Sequence, residues 1–284
     1  MSPTQSHPEG EIVPPSTSTI PVEDYAPAEA RPRRREYGDW DPRSAPGTYL
    51  LLAINCAVYL WMVAHGVDPR DPSESALLHY GANVTWLVLH GQWYRLLTAT
   101  FVHVGLIHLL TNMWCLWNLG MLGEPLVGPF GMVAVYLLTG IAGNLLSMAS
   151  NVLLYSWTHY EPILHIPGAG ASGAVFGIAG ILIVLLSNRR LPFPWAQLRK
   201  LRSSVVKFAA INLVIGLAAN RLPIGIQIDN MAHIGGFLSG LALGVPFVPR
   251  MTAGRERYLS RQRMTFAAAC FLLALFGYWI ANLL

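Results

Sequence analysis

Charged residues are scarce in this sequence and are missing altogether from long parts of it. Only 12% of the 284 residues are charged, whereas an ordinary soluble domain carries about 25%. No Asp, Glu, Lys or Arg occurs in five stretches, 96–123, 125–160, 162–188, 230–249 and 264–284. Because about 20 apolar residues cross the hydrocarbon core of a bilayer, this shortage excludes a soluble domain and indicates an all-α polytopic membrane protein.

Cysteine and metal-binding patterns are also sparse. Cys56, Cys115 and Cys270 lie singly in separate apolar stretches, so they predict neither a disulfide framework nor a metal site. The sequence contains no H-E-x-x-H motif, which excludes the usual zinc protease site, and no apolar stretch carries paired Asp residues for aspartyl chemistry. We therefore expect no metal and no cofactor.

The apolar stretches predict seven membrane spans, at about 48–65, 102–120, 130–150, 171–187, 204–219, 230–248 and 264–284. Residues 1–45 are rich in Pro, Ser, Thr, Glu and Arg, and are expected to form a disordered tail. The predicted organisation is this tail, a six-span core over 46–249, and a basic loop with a seventh span over 250–284.

The basic residues predict the orientation of the spans. Five lie in the tail, six in the loop after span four and five in the loop after span six, which leaves three of the 19 on the other side. Cytoplasmic loops carry the excess of Lys and Arg, so the N-terminus is expected inside and the C-terminus outside. The positive charge then faces anionic lipid headgroups, and nucleic acid is not an expected partner.

Polar side chains within spans are costly and therefore indicate function. Here they are predicted to lie within about 10 Å of the outer ends of three spans, at 1.5 Å per residue. Span two is expected to carry His103, His108 and Asn112, of which the last two share one helix face. Span four opens with Gly170-Ala171-Ser172-Gly173, and span six with Asp229-Asn230-Met231-Ala232-His233-Ile234-Gly235-Gly236.

These residue types suit nucleophilic catalysis. Serine needs an adjacent base to take its proton, and histidine is the usual one. Glycines on spans four and six, among them Gly173 and Gly236, would let the two helices approach closely enough for Ser172 to meet His233. The N–H of Ser172 and the side chains of His108 and Asn112 are candidate donors to an oxyanion. Asp229 is a candidate to orient His233, although we expect a dyad.

The ordered set of motifs resembles the rhomboid family of intramembrane serine proteases over roughly residues 48–248. The resemblance implies Ser172 in a GxSG motif as nucleophile, His233 in an AHxGG-type helix as base, and His103, His108 and Asn112 in an HxxxxHxxxN pattern, the last two at the oxyanion hole. It further implies supporting roles for Arg95 of Trp93-Tyr94-Arg95, Glu124, Gly170, Gly173, Gly236 and Phe176. Phe176 stands where some members have Tyr, and could stack on the His233 ring.

The resemblance implies hydrolysis of a peptide bond in a substrate's transmembrane segment near the extracytoplasmic face. It also implies a multi-pass protein, which we expect in a bacterial plasma membrane, and a gate at 220–229. Its expected partners are transmembrane substrates and the lipid bilayer, and the sequence leaves the oligomeric state open. A pseudoprotease that only holds membrane clients and a transporter lined by His108, Asn112 and His233 remain alternatives. The former usually lacks the Ser or His, and the latter would require acidic residues at mid-membrane.

Overall fold

The computed structural model describes residues 44–189, 191, 193–221, 228–247 and 254–283, and it is a bundle of α-helices in these parts of the chain. The helices are α1 (Pro46–Ala64), α2 (Glu74–His79), α3 (Thr85–Leu89), α4 (Arg95–Thr98), α5 (Leu106–Thr158), α6 (Ser172–Leu185), α7 (Trp195–Ala219), α8 (Asn230–Phe247) and α9 (Arg255–Ala281). By length and composition, α1, α5, α7 and α9 could each cross a membrane. The predicted all-α polytopic fold is confirmed.

Helix α5 contains two of the predicted spans. Its 53 residues bend at Gly128, whose φ of 77° and ψ of 164° are not helical. The next residue is Pro129, which lacks the N–H that would continue the helix. We call residues 106–127 the first limb of α5 and residues 129–158 the second limb.

Three helix starts differ from the sequence-based prediction. The first limb of α5 begins at Leu106 rather than 102, after Gly105 with a φ of 140°, so the prediction that His103 lies within this helix was wrong. Helix α7 begins at Trp195 rather than 204, and α9 begins at Arg255 rather than 264. The last two helices extend the apolar span by turns that carry basic side chains, and such turns give no hydrophobic signal.

Helix α6 is the centre of the bundle. All but three of its residues are buried, and it packs between α5 and α8. A helix that is apolar all round is expected in such a position. Its 14 residues span only about 21 Å, which is less than the thickness of about 30 Å of a bilayer's hydrocarbon core.

Glu124 joins the first limb of α5 to the start of α1. One carboxylate oxygen accepts the N–H of Gly47 at 2.8 Å, and the other accepts the N–H and the hydroxyl of Thr48 at 2.6 and 2.7 Å. The Glu124 side chain is 2% exposed. A carboxylate at a helix N-terminus satisfies amides that have no partner within the helix and is favoured there by the helix dipole. Glu124 is therefore the cap of α1.

Helix α9, the predicted seventh span, donates hydrogen bonds to the bend of α5. At a helix end the last carbonyl groups lack helical partners, and in a membrane each must find another donor. The Gln262 side chain donates to the carbonyl of Val127 at 2.8 Å, and the Tyr258 hydroxyl donates to that of Leu126 at 3.2 Å. Gln262 is 3% exposed. Helix α9 thus supplies donors that the bend at Gly128 requires.

Two predicted segments fall largely outside the described residues. Of the predicted disordered tail, 1–45, the structure describes only Ser44 and Ala45. Of the predicted gate, 220–229, residues 222–227 lie outside the described residues. At its edges, the Asn220 side chain exchanges two hydrogen bonds with the main chain of Ile228, at 2.6 and 2.7 Å.

Candidate active site

Ser172 and His233 meet at the starts of α6 and α8. The Nε2 atom of His233 lies 2.9 Å from the hydroxyl oxygen of Ser172. Ser172 is the first residue of α6, and His233 is the fourth of α8. His233 is 7% exposed, whereas Ser172 is partly accessible. The two residues that the sequence analysis singled out as nucleophile and base are therefore in hydrogen-bonding contact.

Glycines make this contact possible. A Cβ atom on Gly236 would overlap the carbonyl oxygen of Gly173, and one on Gly240 would overlap that of Gly177. On the other side of α8, a Cβ on Gly143 of α5 would lie 2.5 Å from the carbonyl oxygen of Ala232. The backbones of α6 and α8 touch directly, as small residues permit in membrane helices.

Phe176 orients the imidazole ring of His233. The two rings are stacked, with centroids 4.4 Å apart and planes inclined by 12°. Phe176 follows Ser172 by four residues on the same face of α6 and is 5% exposed. The Nδ1 atom of His233 is buried and has no hydrogen-bond partner among the described residues. Among the described residues, packing against Phe176 rather than a third polar group holds the ring of His233 in place.

Asp229 does not orient His233. Its carboxylate accepts the hydroxyl of Ser147 at 2.5 Å and the N–H of Ala232 at 2.9 Å. It therefore caps the start of α8 and ties it to the second limb of α5. The alternative in which Asp229 completes a triad was wrong, because its oxygens are turned to these other donors.

His108 and Asn112 lie on α5, and His108 lies beside the segment that precedes Ser172. A Cβ atom on Gly170 would lie 2.6 Å from Cε1 of His108, so this glycine packs against the Cε1 edge of the imidazole. Gly170 has a φ of 137°, which side-chain-bearing residues rarely adopt. Asn112 is 5% exposed and donates one N–H to the carbonyl of His108 at 2.9 Å. Among the described residues, the Asn112 amide nitrogen makes no other hydrogen bond.

His103 belongs to the loop before α5 and is fully buried. Its ring centroid lies 5.3 Å from that of His108, and its Nδ1 lies 3.2 Å from the carbonyl oxygen of Phe101. The structure thus places His103 next to the ring of His108. Among the residues that the structure describes, no group of three or more His, Cys, Asp or Glu side chains comes together as a metal site would require.

The hydrogen bonds of Arg95 and Glu124 are made with residues other than Ser172, His233, His108 and Asn112. The Arg95 guanidinium donates to the carbonyls of Leu78 at 2.8 Å and Ala82 at 2.9 Å, and to the side chain of Gln92 at 2.7 Å. It braces the segment between α1 and α5 from within. Glu124 lies sixteen residues beyond His108 on the same limb, about 24 Å away along the helix axis.

Sequence reasoning missed the contacts that hold the segment before Ser172. Asn83 and Gly168 exchange main-chain hydrogen bonds of 2.8 and 2.7 Å, which form an isolated antiparallel bridge. The N–H of Gly170 donates to the carbonyl of Ala99 at 2.9 Å. No signal in the sequence indicates these contacts, because they join main-chain groups far apart in the chain.

Comparison with known proteins identifies the family of the chain. A family model described as "Rhomboid domain" matches residues 90–250, more than half of the chain. The chain is 32% identical to the rhomboid protease GluP of Bacillus subtilis over 79% of its own length and 39% of that relative, so it spans well under half of that protein. It is 33% identical to the rhomboid protease AarA of Providencia stuartii over 71% of its own length and 72% of that relative. It is 36% identical to RHOMBOID-like protein 2 of Arabidopsis thaliana over 65% and 52% of the two chains. The chain is an integral membrane protein that belongs to the rhomboid family of intramembrane serine proteases.

Proposed function

We propose that this chain is an endopeptidase that cuts the transmembrane segments of other membrane proteins with a Ser172–His233 dyad. The observation that carries the proposal is the 2.9 Å contact between His233 Nε2 and the Ser172 hydroxyl at the N-terminus of α6. A serine at such a place is both activated by its neighbour and close to main-chain N–H groups that stabilise negative charge.

The first half of the reaction forms an acyl-enzyme. Nε2 of His233 takes the hydroxyl proton of Ser172 as the oxygen attacks the carbonyl carbon of the substrate. The resulting oxyanion accepts hydrogen bonds from the N–H of Ser172 and from the side chains of His108 and Asn112. His233 then gives its proton to the amine, the C–N bond breaks, and the amine product leaves an ester on Ser172.

The second half restores the enzyme. Water gives a proton to Nε2 of His233 while its oxygen attacks the ester carbonyl, and the same donors stabilise the second oxyanion. His233 returns the proton to the Ser172 oxygen as the ester bond breaks and the acid product leaves. Stacking on Phe176 keeps the ring in one plane through both halves, at the observed centroid distance of 4.4 Å.

The position of the site supports cleavage near the extracytoplasmic face. The distribution of basic residues favours a cytoplasmic N-terminus, which puts the start of α6 towards the outer side. Because α6 is too short to cross the bilayer, that start lies below the outer headgroups when the other end reaches the inner boundary. We expect the host membrane to be a bacterial plasma membrane, and the gate at 220–229 stays a prediction.

The substrate must expose a peptide bond that a helix would shield. Helical peptide groups are hydrogen-bonded within the helix, so the scissile segment has to unwind before Ser172 can reach its carbonyl carbon. Glycine and proline favour unwinding most, because within a helix they are less stable than alanine by about 1 and 3 kcal/mol, respectively. We therefore expect substrates with small or helix-breaking residues next to the cleaved bond.

A fluorophosphonate probe tests the dyad directly on the full-length protein in detergent. Labelling is expected in the wild type, absent in Ser172→Ala and strongly reduced in His233→Ala. Incubation with a transmembrane peptide, followed by mass spectrometry of the fragments, is expected to show cleavage by the wild type alone. A wild type that neither labels nor cuts any of a panel of such peptides would contradict the proposal and favour the client-holding or transport alternative.

A further inference from the structure

A buried tyrosine connects α1, α5 and the loop before His103. The hydroxyl of Tyr136, on the second limb of α5, donates to the carbonyl of Thr100 at 2.8 Å and accepts an N–H from the Asn55 side chain at 3.0 Å. Tyr136 and Asn55 are both fully buried, and Thr100 is 1% exposed. The same Asn55 amide nitrogen also donates to the carbonyl of Leu51 on α1 at 2.8 Å. In a low-dielectric interior, a network whose polar groups are all paired makes the surrounding structure rigid.

The network ends one peptide unit from the segment that leads to the nucleophile. Thr100 follows Ala99, whose carbonyl accepts the N–H of Gly170 at 2.9 Å. Gly170 is two residues before Ser172 and packs against the ring of His108. The main chain at 99–100 therefore accepts a hydrogen bond from Tyr136 at Thr100 and another from Gly170 at Ala99. It links Tyr136 to the segment that leads to Ser172.

Local contacts also restrain the loop at 99–104: the N–H groups of Thr100 and Phe101 donate to the carbonyls of Leu97 and Thr98, and Val102 is buried. The loop lies between the end of α4 and the start of α5, so it makes no continuous helical ladder. The methyl group of Thr100 packs where Gly140 has no side chain, and the ring of Phe101 lies 5.6 Å from that of Tyr136. These last two contacts are made with the second limb of α5, and the Tyr136 hydroxyl adds a directional hydrogen bond from the same limb.

We propose that Asn55 and Tyr136 are positioning residues for peptide-bond hydrolysis. They fix the position of the main chain at 99–100. Through the bond from Gly170 to Ala99, that position determines where Gly170 and Ser172 lie relative to His108 and His233. This inference rests on the proposed protease function. Neither side chain touches the reacting atoms, so their contribution is to the geometry of the attack rather than to substrate affinity.

Tyr136→Phe tests the inference because it removes only the hydroxyl. We expect kcat for a transmembrane peptide to fall about tenfold with KM unchanged, since a buried carbonyl loses its donor and the loop relaxes. Asn55→Ala should lower kcat in the same direction. The double variant should be no slower than Tyr136→Phe, because both changes act through one hydrogen-bonded path.

Tyr258→Phe is the matched control. It removes one tyrosine hydroxyl that donates to a main-chain carbonyl, that of Leu126, at the bend of α5. We expect this variant to keep the wild-type kcat even where its unfolding temperature falls. Active-site titration with the fluorophosphonate probe corrects each kcat for the fraction of folded protein, so a loss of stability is not counted as a loss of rate.

The outcomes separate the two proposals. Wild-type labelling that depends on Ser172 supports the protease function independently of the Tyr136 result. A corrected kcat for Tyr136→Phe equal to that of Tyr258→Phe overturns the positioning role, and so do additive losses in the Asn55 and Tyr136 variants. A failure of the wild type to label contradicts the protease function instead. Where Tyr136→Phe does not fold, Asn55→Ala alone against the same control decides the question.

Discussion

The carbonyl oxygen of Gly173 occupies the space that a side chain on Gly236 would need. This backbone contact sets the distance between α6 and α8, and therefore the distance between Ser172 and His233. Gly173 follows the nucleophile directly, and Gly236 lies three residues after the base, so a change in one contact reaches both catalytic groups. The hydrogen bond of 2.9 Å between them is a consequence of missing side chains.

Gly236→Ala is expected to separate the two helices. The added methyl group overpacks the interface, which costs about 1–3 kcal/mol, and displacement of a reacting group by about 1 Å can lower a rate about 10²-fold. We expect a loss of that order in the rate of fluorophosphonate labelling. Gly254→Ala is the control, because a Cβ there meets no atom within 4 Å. Equal labelling rates in the two variants would show that the contact does not set the site.

Phe176→Leu is expected to slow the reaction without abolishing it. An aromatic pair contributes about 0.5–1.5 kcal/mol beyond its buried area, so we expect kcat to fall about two- to tenfold. Phe176→Tyr keeps the ring and should retain most of the rate. Phe208→Leu removes the other ring beside Phe176, at 6.2 Å, and does not touch the imidazole stack. Steady-state cleavage of a transmembrane peptide measures all three, and a slower Phe208→Leu than Phe176→Leu contradicts the assignment.

His108→Ala and Asn112→Ala are expected to lower kcat by about 10²–10³-fold each, the usual cost of one oxyanion donor. KM should change little, since these donors act chiefly in the transition state. Asn118→Ala is a matched control for Asn112→Ala. Asn118 lies on the same limb and makes the same hydrogen bond to its own helix, to the carbonyl of Trp114 at 2.7 Å, but it faces outwards. A drop in kcat that is as large for Asn118→Ala would point to the helix rather than the donor.

Glu124→Gln is expected to destabilise the start of α1. The substitution replaces one carboxylate oxygen by an NH₂ group. This hydrogen-bond donor then faces the N–H of Gly47 or the N–H of Thr48, which are donors themselves. A buried donor without an acceptor costs about 1–3 kcal/mol. Thermal unfolding in detergent should therefore begin at a lower temperature. Thr48→Val removes only the hydroxyl bond and leaves the main-chain cap, so its effect should be smaller, and the reverse order would contradict the capping role.

Gln262→Leu tests the role of the seventh span. The substitution keeps the approximate volume of the side chain but removes the donor to the carbonyl of Val127, at a cost of about 1–3 kcal/mol. We expect a lower unfolding temperature in detergent, with a larger shift than for Tyr258→Phe, whose bond is longer at 3.2 Å. An unchanged unfolding temperature would mean that the bend at Gly128 does not depend on α9.

Much of the architecture could be predicted from the sequence because hydrophobic runs report on the apolar helices of a membrane protein. The predicted spans follow the order of the observed helices, namely α1, the two limbs of α5, α6, α7, α8 and α9, and the GxSG and AHxGG segments singled out Ser172 and His233. The starts of α7 and α9 were misplaced, because their first turns carry Arg and Lys and resemble loops. His103 was assigned to a helix because nothing in the apolar run marks the change of direction at Gly105.

The remaining contacts could not be predicted, since they join residues that are distant in sequence and chemically ordinary. Tyr136 lies 36 residues from Thr100 and 81 from Asn55. Glu124 lies 76 residues from Thr48. A tyrosine or a glutamate in an apolar run indicates that a partner exists, because an unpaired polar group in the membrane is costly. It does not indicate which of many carbonyls or amides that partner is.

The sequence by itself determined that the chain crosses a membrane several times, and which serine and which histidine stand at helix starts. It could do so because the cost of placing charge in hydrocarbon is large and local. Only the tertiary structure decided that Asp229 caps α8, that Glu124 caps α1, and that α9 supports the bend of α5. Those outcomes depend on how closely helix backbones pack, and packing is a property of pairs of surfaces rather than of any one segment.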